Sequence, residues 1–169
     1  MSRSWLITVS LAVLSAGCAP RSTPDPRSLA VAGPPALLSE FYFFDEPASG
    51  APLQPRDGVE RYDLINALFT DHATKDRHLY LPPGTALRYD EAGVLVFPVG
   101  SALIKTFSLA PDLRTPQSGA RRIETRVLVH RSDGWVAWPY VWDDDQKEAR
   151  YAPVGARRSW QVLDPAGTP

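Results

Sequence analysis

The chain has 169 residues, with 18 Lys plus Arg against 19 Asp plus Glu, a formal net charge of −1, and a single cysteine. A nearly neutral chain has no electrostatic footprint for nucleic acid. One thiol excludes an internal disulfide, a Cys-rich zinc site and covalent haem through CxxCH. Hydrophobic residues at 44% permit a packed core, while 17 prolines argue against a helical bundle, because proline breaks helix interiors.

In chain order, Arg3 gives a short positive start, and Trp5 to Ala16 is uncharged and mostly apolar. That run is too short to span a bilayer, which needs about 20 residues, and matches the apolar region of a secretory signal. Leu14-Ser15-Ala16-Gly17-Cys18 resembles the bacterial lipobox, with Ser15 where leucine is usual. The resemblance implies cleavage before Cys18 and acylation of its sulfur, which would anchor an exported protein to a bacterial membrane facing the periplasm or the cell exterior. An ordinary cleaved signal with a bystander cysteine is the alternative. Ala19 to Ala36 carries five prolines among small and polar residues and reads as an extended tether. The expected organisation is a signal peptide over 1–17, a Pro-rich tether over 18–36, a β-rich globular domain over 37–162 and a disordered tail over 163–169.

Leu37 to Phe44 is an apolar block expected to dock as a short helical turn or an edge segment. Residues 45–60 are rich in Pro and Gly and read as irregular chain. Asp63 to Phe69 has the pattern of a short helix with Asp63 as N-cap. Strand signals begin near residue 78. They recur at 86–89, 94–97, 101–109, 122–131, 135–142 and 149–152, with a further candidate at 157–162, each closed by Pro, Gly or Asp. The fold class expected is all-β, a sandwich or open barrel of short antiparallel strands with little helix.

Asp133-Gly134 is the preferred dipeptide of a two-residue hairpin loop. With that pair at the tip, Thr125 faces Trp142, Val127 faces Tyr140 and Val129 faces Trp138, with Ile123 beyond on the same apolar face. The opposite face carries Glu124, Arg126, Leu128 and His130. Pro139, lacking an N–H, is expected beside a sheet edge or bulge. In the strand at 101–109, Leu103, Lys105, Phe107 and Leu109 form the more apolar face. Lys105 must then either snorkel to an edge or meet a carboxylate such as Glu124.

Several segments run in an order that resembles one family. They are Tyr62-Asp63-Leu64 with Leu68 to Lys75, Leu79 to Thr85, Phe97 to Phe107, Arg122 to Val129, and Gly134 to Gln146. Together they are similar to the N-terminal, non-haem domain of a family of bacterial exported di-haem c-type cytochromes. The resemblance covers roughly residues 38–160. It implies an exported cytochrome or other oxidoreductase as partner and names no activity for the domain itself. In that family CxxCH motifs follow the domain. Here no cysteine follows Cys18, so the expectation is a stand-alone lipoprotein without a haem region and without a cofactor of its own.

Candidate chemistry is sparse. His72, His78 and His130, with Asp71 and Asp76 nearby, have no metal-ligand spacing. Asp143-Asp144-Asp145 lacks the calcium-loop pattern and reads as a solvated acidic turn. Glu124 with Asp143 or Asp145 would suit a hydrolase only if the carboxyls converge. The polar cluster singled out is Lys105, Glu124, Arg126, Tyr140 and Gln146, read either as an ion pair that fixes strand order or as a ligand site. The leading reading is a lipid-anchored binding module, and the alternative is a small enzyme or ligand-binding domain with a concave pocket around Glu124 and Arg126.

Overall fold

The structure, a computed structural model, describes residues 26–48, 51–116 and 118–168. The signal region and Cys18 lie outside the described residues. Among the described residues, eight antiparallel strands and almost no helix make the fold all-β, as the sequence implies. Strands β1 (Val59–Arg61), β2 (Thr74–Tyr80), β5 (Ala102–Leu109), β6 (Arg121–Arg131), β7 (Gly134–Trp142) and β8 (Ala149–Tyr151) form one sheet in that order. Strands β3 (Arg88–Tyr89) and β4 (Leu95–Val96) form a separate hairpin.

One face of the large sheet carries the core. Ile104, Val127, Val129 and Tyr140 are fully buried, with Tyr80, Trp138 and Trp142 nearly so. These are the β-branched and aromatic residues that favour a pleated, half-buried surface. Their cover is the N-terminal chain. Leu29 comes from α1 (Pro26–Val31), Leu38 and Phe41 from a 3-10 turn (Leu38–Phe41), and Phe43 and Leu53 from irregular segments. The Phe41 ring stacks on Phe43 at 5.0 Å and on Trp138 at 6.0 Å, and meets Tyr140 edge-on at 5.6 Å. Burying each large ring contributes roughly 4–6 kcal/mol of gross transfer free energy.

The N-terminal segment differs from a free tether along 26–36. Residues 26–31 are helical, Arg131 donates to the Ala32 and Val31 carbonyls, and the Tyr140 hydroxyl donates to the Pro35 carbonyl at 2.9 Å. Ala36 and Leu37 then pair with Tyr151 and Arg150, so this segment covers the β8 edge. At the other end Leu163 pairs with Pro111 and Leu113, and Asp164 closes a turn with Thr168, so residues 163–168 are ordered against the 111–113 loop.

The β6–β7 register differs from the Asp133-Gly134 expectation by two residues. Thr125 faces Tyr140, Val127 faces Trp138 and Arg131 faces Gly134, so Ser132-Asp133 forms the tip and Gly134 begins β7 at φ 120°. A two-residue shift leaves the faces unchanged, and Trp138, Tyr140 and Trp142 all point inward as expected. Pro139 lies at the end of the β7–β8 ladder, where its carbonyl accepts from the Ala152 N–H at 2.9 Å and its missing N–H stops the pairing.

Three other expectations fail. Strand β5 buries Ala102, Ile104, Thr106 and Ser108, placing Lys105 and Phe107 on the outer face. The Thr106 and Thr125 hydroxyls pair at 2.8 Å and Trp142 Nε1 donates to Thr125 at 2.9 Å, so the inward polar groups are satisfied in the core. Residues 63–69 form no helix but an exposed loop, with Ile65, Leu68 and Phe69 solvent-facing, because this segment has no apolar surface to bury against. The candidate strand at 157–162 is irregular chain, and the residue after it, Leu163, bridges Asp112.

Candidate functional site

The site grows from a β-bulge in β6. Phe107 faces Glu124, whereas Ser108 faces Arg122, so Ile123 is an extra, unpaired residue. The bulge corrects the expected placement of Ile123 on the apolar core face. It sends Arg122 inward and leaves Ile123 beside Glu124 on the outer face.

Arg122 is buried without a carboxylate within 4.0 Å among the described residues. Its guanidinium donates to the Ala48, Ala51 and Gln146 carbonyls and lies 4.4 Å over the Trp142 ring. Burial pulls its pKa down, partly offset by Asp76. Gln146, itself buried and at φ 62°, accepts from the Arg122 N–H and donates to its carbonyl.

The expected polar cluster therefore divides. Gln146 belongs to this buried clip, and Tyr140 belongs to the core, where burial pushes its phenol well above its ordinary pKa. Lys105, Glu124 and Arg126 stay together on the outer face. Arg126 makes a two-point pair with Glu124, Nε to Oε1 at 2.7 Å and NH2 to Oε2 at 3.1 Å. Lys105 does not pair with Glu124. Its ammonium lies 4.7 Å from the Phe107 ring centroid, and the Arg126 guanidinium lies 5.0 Å from the same centroid. The Lys105 pKa is lowered, first by desolvation and then by Lys75, Arg77 and Arg126.

Register explains that last list. Arg77, Lys105 and Arg126 are direct cross-strand neighbours in one row of β2, β5 and β6, and Lys75, Phe107 and Glu124 form the next row. Like charges placed directly opposite oppose sheet formation, so this row marks the outer face as more than a solvated surface.

Two hollows flank the Glu124–Arg126 ridge. The larger, about 810 Å³, lies over β6 and β7, with Ile123, Pro139 and Val141 on its floor and Val154, Arg158 and Trp160 on its wall. The smaller, about 270 Å³, runs over Phe107 to the loop at Thr70, Asp71 and Ala73. Asp71 and His72 have φ 39° and 63°, consecutive left-handed residues that fold this loop back toward the sheet. Lys75 Nζ donates to the Leu68 carbonyl and holds the exposed apolar stretch beside it. Trp160, Val154 and the 64–69 loop were not legible as site residues, since none is near Glu124 in sequence. The signal available was an aromatic and an aliphatic residue left in a Pro/Gly segment.

The remaining candidates are dispersed. His78 is buried edge-on against Phe44 at 5.0 Å, His130 stacks on Trp135 at 4.7 Å, and His72 meets the Phe69 ring at 5.3 Å. Asp143 pairs with Arg150 and Asp145 accepts from the Lys147 N–H, whereas Glu124 pairs with Arg126, so the described contacts bring neither aspartate to Glu124. Among the described residues no three His, Cys, Asp or Glu side chains are grouped to hold a metal ion. Nor is any described helix long and apolar enough to cross a membrane.

Comparison with protein-family models, with curated proteins and with solved structures finds no match to this chain.

Proposed function

We propose that this chain is an exported binding module, held to a bacterial membrane by lipid on Cys18, and that the outer face of its sheet is the docking surface. The observation that carries the reading is the Glu124–Arg126 ridge, flanked by two hollows with aromatic and aliphatic walls, with Lys105 beside Arg126 and the buried Arg77 continuing the same row. Binding sites commonly combine an apolar concavity with a few converging polar groups, and Trp and Arg dominate contact energies. The resemblance in Tyr62 to Gln146 makes the partner an exported cytochrome or related oxidoreductase.

The test is twofold. Metabolic labelling with palmitate should mark the wild-type protein and not Cys18→Ser. Affinity purification from solubilised membranes should then retrieve an exported oxidoreductase identified by mass spectrometry. An unlabelled protein, or repeated purifications without any exported redox protein, would refute the corresponding half of the reading.

A second reading is favoured by one observation. The larger hollow, at about 810 Å³, is of a size to hold a small molecule. In that case Glu124 and Arg126 would orient a ligand, and a soluble metabolite would compete with the protein partner.

A further inference from the structure

We infer that the outer face takes a carboxylate-bearing segment of a partner protein, its acid group seated between the Lys105 ammonium and the Arg126 guanidinium beside the Phe107 ring. This rests on the proposed binding-module reading and specifies the chemistry of the same surface.

The argument begins with charge. Along the two outer-face rows the cations are Lys75, Arg77, Lys105 and Arg126. Glu124 answers Arg126 at 2.7 Å, Asp63 lies 4.0 Å from Arg77, and Asp71 stands in the loop wall of the smaller hollow. Lys105 has no carboxylate within 4.0 Å and no hydrogen-bond acceptor among the described residues; its contact is the π face of Phe107. Lys75 likewise has no carboxylate within 4.0 Å, but its ammonium donates to the Leu68 carbonyl; among the described residues of these rows, Lys105 is the cation left with neither an acid nor an acceptor.

Register and ring contacts bring the two cationic groups to one neighbourhood. Lys105 and Arg126 are direct cross-strand partners, and both cationic groups lie within 5.0 Å of one ring centroid. Glu124 occupies Nε and NH2 of Arg126, leaving NH1 to donate elsewhere. A carboxylate oxygen bridging NH1 and the ammonium would complete the row with charge-assisted hydrogen bonds.

The surroundings select the kind of ligand. One ammonium without an acceptor, beside a guanidinium already paired through two of its nitrogens, suits one carboxylate better than a multiply charged phosphate. The hollows on either side of the ridge present Ile123, Val141, Val154 and Trp160, against which the aliphatic or aromatic neighbours of an acidic residue can pack. The ridge lies between the loop carrying Leu68 and Phe69 and the wall carrying Val154 and Trp160. An extended chain can enter such a trough, whereas a flat bilayer rests on its rims. Partial burial of Lys105, together with Lys75, Arg77 and Arg126 nearby, already lowers its pKa, which a bound anion would oppose.

The experiment uses the full chain in detergent and two fluorescein-labelled peptides that differ only in a central Glu or Gln flanked by Leu and Trp. Fluorescence anisotropy should show the Glu peptide binding at least ten-fold tighter at low salt, with the preference shrinking as salt rises. Lys105→Met should abolish the preference and Lys105→Arg should retain it. Arg126→Gln supplies a second, independent loss should the Met variant fold poorly. Inorganic phosphate and phosphatidylglycerol vesicles should compete weakly. Equal affinity for the two peptides, retention of the preference in Lys105→Met, or stronger binding of phosphate or vesicles than of the Glu peptide would overturn the inference. An exported partner captured equally well by wild type and Lys105→Met would overturn it while leaving the binding-module reading intact. A Glu preference without any exported redox partner would do the reverse.

Discussion

The Gln146 side chain takes the place of a missing strand residue for Arg122: its Oε1 accepts from the Arg122 N–H at 2.6 Å and its Nε2 donates to the Arg122 carbonyl at 3.0 Å. The β-bulge at Ile123 makes this necessary. It shifts Arg122 into the core just where β7 has ended at Trp142, so no backbone remains to complete the ladder.

Gln146→Leu should therefore be costly despite being nearly isosteric. It leaves a buried N–H and a buried carbonyl unpaired, at about 1–3 kcal/mol each. Urea denaturation should show a loss of roughly 2–4 kcal/mol, with little change in the slope. A loss below half a kcal/mol would show that the clip carries no weight.

Arg122 tests the same clip from the other side. Its planar fork serves three carbonyls and lies over Trp142. Lysine has the charge without the fork, and a buried ammonium is poorly served by that arrangement. Arg122→Lys should be destabilising by about 2–3 kcal/mol and no more stable than Arg122→Met. A lysine variant as stable as wild type would contradict the geometry.

Tyr140→Phe removes one hydrogen bond, that to the Pro35 carbonyl, and keeps the ring. The expected loss of stability is about 1 kcal/mol. The sharper readout is limited proteolysis, since the bond ties the 26–36 segment to the sheet. Cleavage near Pro34-Pro35 should accelerate in the variant while the sheet stays resistant.

His78 predicts a pH dependence. Burial lowers its pKa below the ordinary 6.5, with Arg61 acting in the same direction and Asp76 opposing. Below pH 6.5 the unfolded chain then binds the proton more readily than the folded one, so stability falls as pH drops through that region and is unaffected above it. Urea midpoints measured from pH 7.5 to 5.5 should decline for wild type and decline less for His78→Phe. Parallel curves would remove His78 from the account.

How much was legible follows from the physics of each element. The period-two pattern of β6 and β7 identified the inward ring set, and it survived a two-residue register error because the side-chain period is two. The same pattern misled on β5. Phe107 and Leu109 look like core, but Ala102, Thr106 and Ser108 face it, while Phe107 is buried on the opposite face beneath Lys105 and Arg126; the Thr106–Thr125 pair that satisfies the inner hydroxyls emerges only from the β5–β6 register. A bulge leaves no mark in residue types, so simple alternation puts Ile123 on the core face, where the structure has Arg122. Grouping Lys105 with Glu124 and Arg126 followed from the need of an ammonium on an apolar strand face for a carboxylate; the three do share one face, though Lys105 meets the Phe107 ring and not Glu124. Adding Tyr140 and Gln146 did not hold, since hydrogen bonds to Pro35 and Arg122 depend on chain segments more than 20 residues away.

The central claim is that the outer face between the 64–69 loop and Trp160 is the docking surface. A photo-crosslinking amino acid at Val154, which is 97% exposed on the wall of the larger hollow, tests it most directly, with Trp135 at the hairpin end as control. In intact cells the Val154 probe should form an adduct containing an exported oxidoreductase, identified by mass spectrometry, and the Trp135 probe should not. The same adduct from Trp135 and none from Val154 would place the interaction elsewhere and contradict the account.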